Sequence, residues 1–364
     1  MVQRDDCRRI LFIIGSMRRG GAERVISILA NHYAEKGWSV IILTLLDNSN
    51  DYDLHPSIEV KPLYIHGKSR IQQIPNWIFG IRKIVKLNKP IRIVSFVARI
   101  NILTILACLG LNQYIVISER NDPMADGRSI FVRFTTYLLY PLANSIVFQT
   151  NWAQSCFPKN IRKKSIIIPN PIKVGKLQSR EKSKKIVAVG RLTEQKNHEL
   201  LIRAFQKIHL SYPGYKLCIY GEGELREKLV KLIQQLSLND AVSLPGNVKD
   251  IHEQIADAEM FVLSSNYEGL SNALLEAMMI GIPCISTNCA GSNEVIQDGV
   301  NGLLVPIGSS EKLVEAMKKI IEDQEFASKL ASNAKKSSIQ FNYDTVLEKW
   351  ESVIFNKVND SGEY

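Results

Sequence analysis

Residues Ser264 to Pro283 read S-S-N-Y-E-G-L-S-N-A-L-L-E-A-M-M-I-G-I-P, and this stretch decides the fold. Ala258–Leu263 before it reads as a short buried strand, Asn272–Met279 is helix-forming, and Gly281 and Pro283 end the helix. In that order the first helical residues aim unpaired backbone N–H groups, and the positive end of the helix dipole, past the carboxyl end of the strand. An anion belongs there, against Gly269, Leu270 and Ser271. Glu268 lies in the turn and Glu276 in the helix, roughly 7 Å along the axis from a start at Ser271 at about 1.5 Å per residue. A ligand with a charged middle and hydroxyl-rich ends can touch both acids. A nucleotide sugar has that form, with its ribose for Glu276, its sugar for Glu268 and its diphosphate for the helix start. The plainer reading is a solvated glutamate pair on a surface helix.

Working outward, 364 residues exceed one typical core and suit two domains. A composition of 45% hydrophobic and 23% charged residues is that of a soluble globular protein. Cys7, Cys108, Cys156, Cys218, Cys284 and Cys289 form no C-x-x-C, which reads as free thiols in a reducing cytosol. Neither a signal peptide nor a run of roughly 18 apolar residues is visible, and Ile100–Leu111 reads as a buried helix. Residues 1–170 carry 23 Lys and Arg against 11 Asp and Glu, while residues 171–364 carry 23 against 25. The excess of the first half points to a polyanionic or membrane-surface partner for one domain. Nucleic acid is not expected, since no nucleic-acid-binding motif occurs.

Ile10–Ile14, a glycine loop, a helix over Arg24–Lys36 and a strand over Trp38–Leu46 open a parallel, doubly wound sheet. Gly15, Gly20 and Gly21 do not spell the dinucleotide fingerprint, yet Gly20-Gly21 lets a ligand approach the backbone closely. Strands over Ile91–Val97, Tyr114–Ser118, Ser145–Gln149 and Ser165–Ile168 complete the first half. The second of these runs into S-E-R-N-D-P, a polar strand end where open sheets bind ligands. Residues 1–170 thus form a first domain, 171–185 a linker, and 186–342 a second domain. Its strands read as Lys185–Val189, Tyr215–Tyr220, Val242–Leu244, Ala258–Leu263 and Cys284–Thr287. A last helix covers Tyr343–Lys357. Gly190-Arg191-Leu192 and Lys196-Asn197 follow a strand, so Arg191 and Lys196 project toward the start of the central helix. At about 4 Å and an effective dielectric of about 20, each cation is worth about 4 kcal/mol to a diphosphate leaving group. A solvated basic loop is the plainer alternative.

The pattern E-G-L-S-N-A-L-L-E-A (268–277) resembles the E-x7-E signature of the retaining glycosyltransferases of family 4. G-G-A-E-R (20–24), G-R-L with Lys196-Asn197, Y-G-E-G-E-L (220–225), P-G-N-V (245–248) and E-V-I-Q-D-G-V-N-G-L-L-V (294–305) follow in that family's order over nearly the whole chain. The resemblance implies an α/β GT-B fold, with two Rossmann-like doubly wound domains facing across a cleft and residues 343–364 crossing back to the first domain. It implies that Arg191 and Lys196 neutralise the departing diphosphate beside Gly190, and that Glu268 meets the donor sugar and Glu276 the ribose. Asn247 and Val248 then meet the base, and the Gly20-Gly21 loop closes from the first domain. Many members place a histidine where this chain reads Ser118-Glu119-Arg120, so no catalytic imidazole is carried over. Arg18, Arg19 and Arg120 are the candidate acceptor contacts; for Arg120 a salt bridge to Glu119 or Asp122 is the alternative.

G-G-A-E-R-V combined with I-S-E-R-N-D-P (117–123) further resembles enzymes that extend lipid-linked oligosaccharides. The reading is therefore a metal-independent, cofactor-free, retaining transferase moving a hexose or N-acetylhexosamine from a UDP-sugar to a polyprenyl-diphosphate-linked glycan, peripheral on the cytoplasmic face of the inner membrane. Asp51-Tyr52-Asp53 matches a metal-binding D-x-D only formally, and the six histidines form no ligand pair. An anionic membrane surface would meet Arg18, Arg19, Lys68, Arg70, Arg82, Lys83 and Lys86, with Ile71, Ile74, Trp77, Ile78 and Phe79 dipping into the interface. Because a fold does not fix a reaction, a nucleotide-sugar epimerase and a non-catalytic nucleotide-binding scaffold stand as alternatives.

Overall fold

The computed structural model describes residues 8–355 apart from Arg19, Lys68, Lys176 and residues 178–180. The chain divides into two compact units, one running up to Pro171 and resuming at Asp344, the other Ile172–Tyr343. In the first, β1 (Arg9–Ile14), α1 (Gly21–Glu35), β2 (Ser39–Thr44) and β3 (Glu59–Pro62) are followed by α2 (Arg70–Asn88), β4 (Arg92–Phe96), α3 (Ala98–Cys108) and β5 (Tyr114–Ser118). Next come α4 (Ile130–Leu139), β6 (Ser145–Phe148), α5 (Asn151–Ser155), α6 (Lys159–Arg162) and β7 (Ser165–Ile167). The seven strands are ordered β3-β2-β1-β4-β5-β6-β7. Every pairing is parallel. Helices cover both faces of such a sheet, so its strands are continuous apolar runs, as in the fully buried Ile10–Ile14.

The second unit runs β8 (Ser183–Val189), α7 (His198–Ser211), β9 (Lys216–Tyr220), α8 (Arg226–Gln235), β10 (Val242–Gly246), α9 (Ile251–Ile255) and β11 (Ala258–Leu263). It continues through α10 (Asn272–Ile280), β12 (Cys284–Thr287), β13 (Leu303–Val305), α11 (Ser310–Glu322) and α12 (Gln324–Ser337). The parallel order is β10-β9-β8-β11-β12-β13. In both sheets the order reverses next to the first strand, between β1 and β4 and between β8 and β11. Open parallel sheets bind ligands at that reversal, beyond the carboxyl ends of the strands.

Two readings change here. The segment 171–185 is structured at both ends: Ile172 is buried and bonds through its N–H to the Phe341 carbonyl at 3.0 Å, and Ser183 already belongs to β8. Apolar Ile172 and the hydroxyl of Ser183, 2.9 Å from Asp257 Oδ2, both gain from pairing with the second unit. The basic stretch 70–86 is not a free amphipathic face either. It lies on α2, where Trp77, Ile81 and Val85 are buried and Ile78 packs on the same cluster. Arg82 donates to the carbonyls of Ala107 and Leu109 at 2.9 and 2.7 Å. Of the proposed dipping residues, Ile71, Ile74 and Phe79 stay exposed; Lys68 lies outside the described residues.

Helix α13 (Tyr343–Phe355) returns to the first unit for a reason visible in its side chains. Val346, Leu347, Trp350, Val353 and Ile354 are buried, and the Trp350 ring stacks on Phe96 at 5.7 Å between centroids. The Arg120 guanidinium lies 4.9 Å from the Phe96 ring and 5.1 Å from Trp350. Glu351 accepts from His32 at 2.8 Å and pairs with Lys36, while Arg92 donates to the Ile354 carbonyl. Deleting one large buried aromatic ring removes about 3–5 kcal/mol. In urea unfolding, Trp350→Ala is expected to move the transition of the first unit to lower urea by that amount and leave the transition of the second in place; coincident, unshifted transitions would contradict this clamp.

Candidate active site

The reversal between β8 and β11 brings two loops together, Gly190–Asn197 and Ser264–Ser271. Hydrogen bonds lace them along their length. Asn266 N–H donates to the Gln195 carbonyl at 2.8 Å, and its amide to the Glu194 carbonyl at 2.8 Å. The Gln195 amide donates to the Tyr267 carbonyl at 3.1 Å, and Ser264 Oγ to the Lys196 carbonyl at 2.9 Å. Asn197 adopts a left-handed conformation (φ 45°), caps α7 by accepting from Leu200 N–H, and donates its amide to Asn266 Oδ1 at 2.9 Å.

Inside this lacing, Lys196 Nζ is ion-paired with Glu268 Oε1, and Ser265 Oγ donates to the same oxygen at 2.6 Å. The Glu268 side chain is 7% exposed and that of Lys196 13%. A side chain on Gly190 would crowd the Lys196 stem, with its Cβ 3.2 Å from the lysine Cδ and Cε. Arg191 is exposed, 3.5 Å from Gln195 Oε1, so its charge stays available at the rim. Helix α10 begins at the Ser271 cap, whose Oγ accepts from Leu274 N–H at 3.4 Å. Glu276 is one of its buried residues, not part of a solvated surface pair, with one oxygen 3.5 Å from His252 Nε2. Both signature glutamates are thus withdrawn from bulk water in one unit, and one of them faces a lysine. The second unit brings together Gly190, Arg191, Lys196, Gly269, Leu270, Ser271, Glu268 and Glu276. Asn247 is exposed and Val248 half-buried just beyond β10.

Three glycines let other loops pack against these two. A Cβ on Gly221 would fall 2.1 Å from the Gly190 carbonyl oxygen, one on Gly223 2.4 Å from that of Leu192, and one on Gly291 1.6 Å from that of Gly269. His198 opens α7 in a buried setting; burial above all, and then the nearby Lys196 charge, lower its pKa to about 4. Sequence reasoning missed Ser265, Gln195 and the Asn197–Asn266 pair. Their signal was present as polar residues crowded into two strand ends, but which would meet depends on strand order.

In the first unit Gly20 sits at the start of α1, where Tyr52 Oη donates to its carbonyl at 2.8 Å and accepts from its N–H at 3.0 Å. Asp51-Tyr52-Asp53 therefore has a structural use: its tyrosine steadies the Gly20-Gly21 loop. Arg18 pairs with Asp47 at 2.9 Å while 65% exposed, and Arg19 lies outside the described residues. Arg120 is buried. Its Nη1 donates to Asn170 Oδ1 at 3.0 Å, while its Nε and Nη2 are buried without a hydrogen-bond partner. Its pKa is lowered to about 9 by burial. It packs against the Phe96 and Trp350 rings, and it makes no salt bridge with Glu119 or Asp122 among the described residues. Glu119 instead takes Arg128 at 2.9 Å and the Tyr140 hydroxyl. Burial raises the Glu119 pKa, and Arg128 opposes that rise.

Residues 170–337 match the family Glycosyl transferases group 1. The two Rossmann-like parallel-sheet units have structural neighbours in the GT-B class, and the group 1 match falls on the second of them. It is 27% identical over 361 residues to the Campylobacter jejuni GalNAc-alpha-(1->4)-GalNAc-alpha-(1->3)-diNAcBac-PP-undecaprenol alpha-1,4-N-acetyl-D-galactosaminyltransferase, covering 95% of this chain and 98% of that one. To the N-acetylgalactosamine-N,N'-diacetylbacillosaminyl-diphospho-undecaprenol 4-alpha-N-acetylgalactosaminyltransferase of the same organism it is 28% identical, covering 90% and 94%. The crystal structure of Anabaena HepE in complex with UDP and glucose superposes with a TM-score of 0.82 at 18% identity, over 96% of this chain and 100% of that one.

A histidine held neutral in the folded state binds fewer protons than in the unfolded chain, so it lowers stability as pH falls from about 6.5 to about 4 and costs nothing above that window. For His198 the full effect is up to about 3 kcal/mol. His198→Gln is expected to flatten the loss of urea stability between pH 7 and pH 4.5 relative to wild type; equal losses in the two proteins would contradict it.

Proposed function

We propose that the chain is a metal-independent, retaining glycosyltransferase that moves a hexose or N-acetylhexosamine from a UDP-sugar to a polyprenyl-diphosphate-linked glycan, working at an anionic membrane surface on the cytoplasmic side. The observation that carries this reading is the Lys196–Glu268 pair, shielded from water beside exposed Arg191 and the start of α10 at the reversal of the second sheet. A diphosphate entering there meets two cations and the first N–H groups of a helix, which together stabilise the charge that builds as the sugar–phosphate bond breaks. Glu268, oriented by Ser265 and Lys196, faces the sugar, and Glu276 accepts from the ribose. Asn247 and Val248 hold the base. Supporting the acceptor and the donor class are the undecaprenol-linked names of the Campylobacter relatives and the UDP in the Anabaena structure. Among the described residues no helix is long and apolar enough to cross a membrane.

In buffer containing EDTA, wild-type protein is expected to turn over a UDP-sugar, and Lys196→Ala and Arg191→Ala each to lower kcat by about 10²–10³ with the fold intact, the range for removing one preorganised charge partner. Near wild-type rates in either variant, or strict dependence on a divalent metal, would overturn the assignment of the phosphate site.

The two acids are separated by a split in kinetic constants. Glu268→Gln is expected to lower kcat with little change in KM, and Glu276→Gln chiefly to raise KM for the nucleotide sugar. NMR of the product is expected to show the anomeric configuration of the donor retained; an inverted product would remove the retaining reading.

A further inference from the structure

Helix α4 is turned inside out. Ile130, Phe131, Phe134 and Leu138 fall within about 100° of its circumference, and they are 88%, 73%, 65% and 62% exposed. Its inward side carries Leu139 and a threonine, Thr136, whose hydroxyl donates back to the Val132 carbonyl at 2.6 Å. Met124 before the helix and Leu142 after it extend the exposed apolar surface. This is not a frayed segment, because buried polar bonds fasten it at both ends. At its start Ser129 caps the helix and Arg128 is locked between Glu119 and Asp126 at 2.9 and 2.7 Å. At its end the Tyr140 hydroxyl donates to Glu119, and the Asn101 amide donates to that hydroxyl at 3.1 Å. A rigidly held apolar face of this kind marks an interaction surface.

Charge identifies what it meets. No Asp or Glu occurs between Asp126 and Glu181, while Arg133, Lys159, Arg162, Lys163 and Lys164 do. Arg133 lies on α4, and two contacts tie the segment that carries the others to it. Tyr137 contacts the Cys156 carbonyl at 3.4 Å and the Phe157 ring edge-on, tying α4 to the segment that leads into α6. Lys164 donates to the Pro141 carbonyl at 2.7 Å, immediately beyond α4. An apolar stripe with cations on it and on the segments beside it fits the boundary between anionic headgroups and acyl chains, where side chains sink about 5–10 Å. A second protein copy would bring the same cations against themselves.

We propose that the α4 face, and not α2, docks the first unit on an anionic lipid bilayer, with Phe131 and Phe134 inserted and Arg162 and Lys163 on the headgroups. For its purpose this surface rests on the lipid-linked acceptor reading above. Flotation with phosphatidylglycerol–phosphatidylcholine vesicles tests it. Wild-type protein is expected to float with these vesicles at low salt and to release as salt rises. Phe131→Ser with Phe134→Ser, and separately Arg162→Glu with Lys163→Glu, are expected to cut the bound fraction at least tenfold, and Lys83→Glu with Lys86→Glu on α2 less than twofold. Should the phenylalanine variant fail to fold by circular dichroism, the charge variant decides alone. Undiminished flotation of the α4 variants, equal binding to pure phosphatidylcholine, or loss of flotation in the α2 variant would overturn the proposal. So would light scattering that shows a wild-type dimer broken by the α4 changes while flotation persists. Turnover of a UDP-sugar with a short-chain, water-soluble acceptor is read in parallel: α4 variants are expected to keep it. Vesicle binding without any transfer by wild type would sink the transferase reading and leave the docking surface standing.

Discussion

A lysine and a glutamate 72 positions apart in the chain meet out of water at the reversal of the second sheet. Burying an ion pair costs several kcal/mol per charge in lost hydration, and the attraction offsets this only where further hydrogen bonds satisfy the remaining polar atoms. Lys196 and Glu268 have that support in Ser265 and in the lacing of Gln195, Asn197, Ser264 and Asn266 around them. Such a pair contributes little net stability, yet it holds a cation and a carboxylate in fixed positions before any ligand arrives. Preorganisation of this sort is what charge stabilisation in a transferase requires. Other loops of the second unit approach these two strand ends closely.

The approach is limited by backbone volume, which is why glycines recur in the motifs. Gly221, Gly223 and Gly291 each stand where a single methyl would strike a carbonyl of the neighbouring loop. The first unit solves a different problem. Its strand ends carry a buried polar network, Glu119 with Arg128 and Tyr140, that fixes the loop ahead of α4, while Arg120 fills the space between Phe96 and Trp350. One motif, S-E-R-N-D-P, therefore divides its charges between shaping a surface and anchoring the last helix.

Much of this was legible in the residues. Apolar β-branched runs ending in glycine-rich or polar turns located the long strands, because a strand covered on both faces has no polar side to confuse the pattern. The edge strands β3 and β13 were missed; in β3 Glu59 and Lys61 leave no apolar run to read. Helix α4 escaped for the opposite reason, since its apolar residues were readable but carried no sign of which way they face. Trp77 and Ile78 misled in the same way, packing inward beside lysines that point out.

By itself the sequence determined the two parallel sheets, the surplus of positive charge in the first half, and the strand-turn-helix order that carries the signature glutamates. These follow from local chemistry: hydrophobic period, turn residues and charge counts act over a few positions. Only the tertiary structure decided that Lys196 pairs with Glu268, that Glu276 is buried, that Arg120 packs between rings, and that the apolar face of α4 looks outward. Each of those depends on which strand lies beside which and on what volume remains between them, and long-range packing sets both.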